Sequence, residues 1–141
     1  MTDAERARFD RLVQDVIDGL PGRVRALLER VPLVVLDRPT PAMMADLERD
    51  GSVEPGADPA ELCGLHTGLA LTERSVEHSG VVPDQVHVFR EGIVALALRE
   101  AGWASPHADE DVYEEIRVTI LHELGHHFGL DEDDLDDLGY A

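Results

Sequence analysis

The segment ILHELGHHFGLDE, residues 120–132, places His122 and His126 four positions apart in a helical pattern. On a helix this spacing amounts to about 40° of rotation and about 6 Å of rise, so both imidazoles point the same way. Two imidazole nitrogens can then reach one zinc ion. Glu123 lies at the edge of the same face, where its carboxylate can reach a water held at the metal and accept a proton. The spacing therefore predicts a metal site with Glu123 as the general base.

The third metal ligand is predicted from the glycine that follows the second histidine. Gly129 lies where the helix should end, and glycine tolerates the left-handed conformation that lets the chain reverse. A reversal there brings Glu132 back toward the metal. His122, His126 and Glu132 then make a three-ligand site with one open position, as in a catalytic zinc site. If the chain turns differently, Asp131 or Asp133 becomes the alternative ligand, and two imidazoles with one carboxylate also suit metals other than zinc.

Apolar periodicity predicts a single α+β domain over residues 1–141. Its predicted core is a small mixed β-sheet packed against a long active-site helix, whose apolar stripe is Ile116, Ile120 and Leu124. The run VPLVVL, residues 31–36, is predicted to be a buried strand. One helix is predicted to start at Thr40 and Pro41, and the long helix is predicted to start at Asp109. The other predicted elements are helices over residues 4–20, 24–28 and 91–101, a long helix over residues 110–128, and strands over residues 62–72 and 86–89.

The net charge of −18 restricts the partners of the chain. All twelve basic residues are arginines, and they are scattered rather than clustered. The charge therefore disfavours nucleic acid and anionic membranes as partners, while neutral or basic peptides are compatible with it. Cys63 is the only cysteine, so no intrachain disulfide forms, and it is expected to be a buried thiol. The first residues show no signal-peptide pattern and no apolar run is long enough to span a bilayer, so a soluble, cytoplasmic protein is expected.

The remaining histidines are expected to have ordinary structural roles. His127 is predicted to be a packed residue or a donor that supports a ligand. Four others have no metal-ligand spacing to one another: His66, His78, His87 and His107.

The sequence resembles the zincins, and within them a small bacterial group of minimal zincin-like metallopeptidases. Members of that group carry HExxHHFGxxD/E at the end of a compact domain. The resemblance is closest at TILHELGHHFGLDEDDL, residues 119–135. It extends more loosely through LCGLHTGLALTERS, residues 62–75, and PDQVHVFRE, residues 83–91. The family usually has an aromatic residue where His66 stands, so this sequence departs from the family there. The metzincins have histidine in place of Glu132 and a later Met-turn, and these two differences exclude that class.

This resemblance implies a zincin-like fold with one zinc ion, for which His122, His126 and Glu132 are the ligands and Glu123 is the general base. The predicted function is a zinc-dependent peptidase acting on a peptide or protein substrate that pairs with an edge strand at residues 65–71. One alternative is a non-catalytic zinc-binding regulatory module with a blocked groove. Another is a zinc-dependent endoribonuclease with an HxxxHxxGxxH site, against which Glu123, Glu132 and the acidic charge argue.

Overall fold

The computed structural model describes residues 1–67, 85–130 and 133–134. Its helices are α1 at Asp3–Gly19, α2 at Gly22–Arg30, α3 at Pro41–Arg49, α4 at Arg90–Leu98 and α5 at Ala108–Phe128. Its strands are β1 at Leu33–Leu36, β2 at Gly64–Thr67 and β3 at Gln85–Phe89. The predicted α+β class is confirmed. The part of the predicted second strand beyond Thr67 lies outside the described residues.

The helix starts follow from local side-chain capping. The Thr40 hydroxyl accepts a hydrogen bond from the Met43 backbone N–H at 3.2 Å, with Pro41 as the first residue of α3, so this predicted start is confirmed. The predicted start of α5 at Asp109 is wrong, because the helix already includes Ala108. The Asp109 carboxylate instead accepts a hydrogen bond from Arg8 of α1 at 2.6 Å. This contact links the two longest helices of the described chain.

The sheet is mixed, with β3 between the other two described strands. β3 runs parallel to β1 and antiparallel to β2, with Val88 opposite Val35 on one side and Gly64 on the other. The prediction that β1 is buried is wrong, since all four of its residues are only half-buried. β1 has the continuous apolar sequence that is typical of a central strand, but it lies at the end of the described sheet. The buried strand is β3.

The core forms around α5, which packs against α1, α4 and the sheet. Its predicted apolar stripe is confirmed, since Ile116, Ile120 and Leu124 have no exposed surface. Leu121 is equally buried at 1% exposure, so α5 is covered over more of its circumference than one stripe. None of the described helices combines the length and the apolar character needed to cross a bilayer.

A network of ion pairs joins α1 and α4 to the end of β1. The Asp37 carboxylate, directly after β1, accepts hydrogen bonds from Arg6 of α1 and Arg90 of α4, each at 3.0 Å. Arg90 also donates to Asp10 of α1 at 2.9 Å. Burial raises the pKa of Asp37, but the hydrogen bonds from the two arginines outweigh it and hold the pKa below its ordinary value. The network therefore favours the charged carboxylate at the junction of these elements.

His87 of β3 is a histidine in the interior of the fold. It is 2% exposed, and its Nδ1 atom has no hydrogen-bond partner among the described residues. Burial lowers the pKa of His87 below its ordinary value, because the imidazolium loses its hydration.

We predict that His87 makes the protein less stable as the pH falls below about 6.5, the pKa of a histidine in an unfolded chain. Below that pH the unfolded chain binds a proton at His87 that the folded chain does not bind. The free energy of unfolding therefore falls as the pH falls, with a slope of at most about 1.4 kcal/mol per pH unit. Urea denaturation at pH 7 and pH 5 measures the effect. His87→Leu should lose less stability over this range than the wild type. The exposed-site control His107→Leu should behave like the wild type, and equal losses in all three proteins would contradict the prediction.

Candidate metal centre

The two histidines of the HExxH segment lie together on the exposed flank of α5. Both imidazoles are exposed, and the ring centroids of His122 and His126 are 4.3 Å apart with a 49° angle between the ring planes. At this separation each ring can turn one nitrogen toward a single ion. Glu123 is half-buried beside them. The donor set therefore fits a zinc ion, with two neutral imidazoles as ligands and a carboxylate within reach of the same region.

The orientation of these side chains is fixed by the buried residues next to them. Leu121 precedes His122 and Leu124 follows Glu123, and both leucines are almost completely buried. Rotating α5 to turn the histidines away would expose these leucines, at a cost of about 1.5–3 kcal/mol for each buried side chain. The hydrophobic contacts of α5 therefore hold the imidazoles on the solvent side.

The helix ends with the reversal that its glycine predicts. Gly129 has φ 67° and ψ 30°, the left-handed conformation, and its N–H donates to the Gly125 and His126 carbonyls. The Leu130 N–H donates to the Gly125 carbonyl at 2.7 Å, which turns the chain back over the last helical turn. Residues 131 and 132 lie outside the described part of the chain, so the role of Glu132 stays a prediction.

Within the described residues, no three potential metal ligands are gathered into one group. The alternative ligand Asp133 is described and exposed, but it does not form such a group with His122 and His126.

Gly64 of β2 lies directly against the general-base candidate. A Cβ atom at Gly64 would be 3.1 Å from Glu123 Cγ and 2.6 Å from the Thr119 methyl carbon Cγ2. Only glycine lets β2 approach α5 this closely, and the approach limits where the Glu123 side chain can move. Sequence reasoning did not identify Gly64, although an isolated glycine inside a strand pattern is a known sign of close backbone approach.

A cleft opens beside Glu123 and His126, between α3, the loop at residues 51–58 and β2. We call it the apolar pocket; its volume is about 180 Å³. Its lining residues are Leu47, Ser52, Val53, Leu62, Gly64, Leu65, Glu123 and His126. Its walls come from two predicted helices, a predicted loop and a predicted strand that are distant from one another in sequence. Contacts of this kind depend on tertiary structure and have no local sequence signal.

His127 and Cys63 are candidate residues whose surroundings the structure describes. His127 is 1% exposed and packs edge-on against Phe128, as expected for a packed residue. Cys63 is half-buried rather than buried. Burial, with a smaller contribution from the Glu115 carboxylate, raises the pKa of Cys63 and disfavours the thiolate that binds metal. The side chain of His66 and the whole of His78 lie outside the described part of the chain.

Comparison with known families gives one match. A family model described as a zincin-like metallopeptidase matches residues 28–140, which is most of the chain. The matched range includes the three described strands, all of α5 and the predicted ligands His122, His126 and Glu132. Among curated protein sequences, none matches the chain significantly. The match confirms the resemblance inferred from the HExxHxxGxxE spacing.

We predict that Gly64→Ala destabilises the fold by about 1–3 kcal/mol, because the new methyl group overlaps the Thr119 methyl. Thr119→Ser removes that methyl and should recover part of the loss in the double variant. The free energies of unfolding of the two single variants, the double variant and the wild type measure this coupling. Gly22→Ala is the control, since its nearest neighbour is a flexible Arg25 atom at 4.0 Å, and it should not destabilise the fold. Additive effects of Gly64→Ala and Thr119→Ser would show that the contact is relaxed in solution.

Proposed function

The chain belongs to the zincin-like metallopeptidase family, and we propose that it is a zinc-dependent peptidase that hydrolyses peptide bonds beside the C-terminal end of α5. The observation that carries the proposal is the pair of exposed imidazoles, His122 and His126, with ring centroids 4.3 Å apart on a buried helix. Glu123 lies next to them at the wall of a cleft. The exposed imidazoles themselves have no role in the core, which the buried side chains of α5, such as Leu121 and Leu124, form instead.

We assign the metal ligands as His122, His126 and Glu132, with one zinc ion per chain. The left-handed conformation of Gly129 supports Glu132, because the sequence argument for this ligand requires a chain reversal at that glycine. A carboxylate as third ligand leaves one coordination position for water or substrate. Zinc in such a site supplies a Lewis acid, which polarises a substrate carbonyl and makes water more acidic.

Glu123 is the proposed catalytic residue. Its carboxylate accepts a proton from the attacking water and then passes the proton to the leaving amine. Gly64 supports this role, because its closeness to Glu123 Cγ restricts the side chain on the side of β2. A base that is already restricted loses less conformational entropy when the substrate arrives.

The proposed substrate is a peptide or protein segment in an extended conformation. The strand predicted to receive it, at residues 65–71, begins within β2, which lies at the end of the described sheet. Adding a strand there would use backbone hydrogen bonds for affinity and the neighbouring side chains for selectivity. The net charge of −18 favours neutral or basic substrates and disfavours nucleic acids and anionic membranes.

We predict that the purified protein carries about one zinc ion per chain, measured by elemental analysis after growth in zinc-replete medium. His122→Ala and His126→Ala should each lose the metal. Cys63→Ser and His107→Ala should retain it, because neither side chain belongs to the proposed ligand set. Wild-type protein without zinc, or ligand variants that keep it, would contradict the assignment.

The third ligand is tested by comparing neighbouring acids. Glu132→Ala should weaken zinc binding far more than Asp131→Ala or Asp133→Ala. Gly129→Val should weaken it as well, because a β-branched residue adopts the left-handed conformation only with strain, whereas Gly129→Asn should have a smaller effect. Zinc affinity measured by competition with a chelator ranks the variants. Equal losses from Asp131→Ala and Glu132→Ala would overturn the assignment of Glu132.

Catalysis is tested by Glu123→Gln, which keeps the size of the side chain and removes the proton acceptor. The variant should retain zinc and lower peptide turnover by a factor of about 10²–10⁴. Glu115→Gln is the matched control, since Glu115 is also a half-buried glutamate on α5, and it should keep both zinc and turnover. Turnover by mass spectrometry and zinc by elemental analysis are measured on the same preparations.

Each of the other results has a separate meaning. Undiminished turnover in Glu123→Gln would contradict the role of Glu123. Loss of zinc in that variant would make Glu123 a ligand. Zinc without turnover in both proteins would favour the non-catalytic binding module.

A further inference from the structure

The apolar pocket defined above touches both the proposed base and a proposed ligand. Glu123 and His126 form one wall, and four of the remaining six lining residues have aliphatic side chains: Leu47, Val53, Leu62 and Leu65. A substrate bond at the metal centre would therefore have this pocket directly beside it.

The size of the pocket suits one side chain. Its volume is about 180 Å³, and an apolar cavity of about 150 Å³ is large enough to hold benzene. A leucine, methionine or phenylalanine side chain therefore fills it, while glycine and alanine leave most of it empty. Binding sites of this kind favour the group that removes the largest apolar area from water.

The charge of the pocket excludes acidic side chains. Its described lining contains no arginine, so an aspartate or glutamate side chain would enter without a cationic partner apart from His126, which is assigned to the metal. The Glu123 carboxylate and the net charge of −18 add repulsion. An acidic group would also lose its hydration against the four aliphatic side chains.

The outer wall of the pocket is built before any substrate arrives. The backbone N–H groups of Ser52 and Val53 donate to the Leu47 carbonyl at 2.9 and 3.4 Å, which ties the loop to the end of α3. The Asp50 carboxylate also accepts a hydrogen bond from the Ser52 N–H at 2.9 Å. These bonds hold Val53 at the wall of the pocket.

We propose that the apolar pocket selects an aliphatic or aromatic residue next to the scissile bond, with Val53, Leu62 and Leu65 as specificity-determining residues. This inference rests on the proposed peptidase function for the identity of the occupant. It makes the substrate class narrower than any extended peptide: a segment with a large apolar side chain at one position, flanked by neutral or basic residues.

The test uses the full-length zinc-loaded protein and blocked alanine peptides that differ at a single residue, which is Leu, Met, Phe, Gly, Asp or Lys. Cleavage rates from mass spectrometry give kcat/KM for each peptide and the position of the cut. The kcat/KM of the Leu, Met and Phe peptides should exceed that of the Gly and Asp peptides by about 10–100-fold, which is the factor that burying one such side chain provides.

Two variants change the pocket without touching its catalytic wall. Val53→Phe fills it and should reduce the preference for Leu, Met and Phe to less than a few-fold. Ser52→Asp adds a carboxylate at an exposed position and should raise cleavage of the Lys peptide relative to the Leu peptide. Leu96→Phe is the control, because Leu96 is 49% exposed on α4 and lies outside the pocket lining, and it should leave the preference unchanged.

Binding separates this inference from the proposed function. Fluorescein-labelled Leu and Asp peptides are titrated with zinc-loaded Glu123→Gln, with and without Val53→Phe, and followed by anisotropy. If the Leu peptide binds more tightly than the Asp peptide and Val53→Phe abolishes this difference, the pocket is supported. This result supports the pocket even if no peptide is cleaved and the peptidase function fails. Cleavage with no apolar preference, or with a preference that Val53→Phe and Ser52→Asp leave unchanged, overturns the pocket while the peptidase function stands. Equal binding of both peptides, or binding of neither, also overturns it.

Discussion

The burial of α5 is the constraint on which the rest of the molecule depends. The helix packs against α1, α4 and the sheet, and its residues Ile116, Ile120 and Leu124 have no exposed surface. A helix held this firmly has one flank left for solvent, and His122 and His126 lie on that flank. The hydrophobic effect thus orients the two imidazoles, although neither contributes to the core. Binding an ion at a site that is already oriented costs less ordering entropy than assembling the ligands around it.

Two glycines complete the site, for different physical reasons. Gly129 supplies a backbone conformation that other residues adopt only with strain, and thereby ends α5 and reverses the chain. Gly64 supplies space, since any side chain there would overlap Thr119 and press on Glu123. Gly129 therefore sets the direction of the chain after His126, and Gly64 sets how closely β2 approaches the proposed base Glu123. A site can be built from few elements when their backbones come this close.

The helical part of the site can be predicted from the sequence because the residues that determine it are close together in the chain. The i,i+4 spacing of the histidines, the alternating leucines and Gly129 all lie within one helix and its end, so periodicity and capping rules are sufficient. The same rules misjudged β1, because the apolar run of a half-buried end strand resembles that of a central strand. Gly64 and the apolar pocket depend on contacts between α3, β2 and α5 that are distant in sequence. Burial and exposure at these places are properties of the assembled fold, which local patterns do not encode.

A crystal structure of the zinc-loaded protein, with diffraction data collected on both sides of the zinc absorption edge, tests the central claim most directly. The account predicts one anomalous peak per chain, about 2.0–2.1 Å from one imidazole nitrogen of His122 and one of His126, with a Glu132 carboxylate oxygen as the third protein ligand. Glu123 should lie near the ion without binding it. A peak at any other group, such as Cys63 or His87, or a peak bound by Glu123 in place of either histidine, would contradict the account.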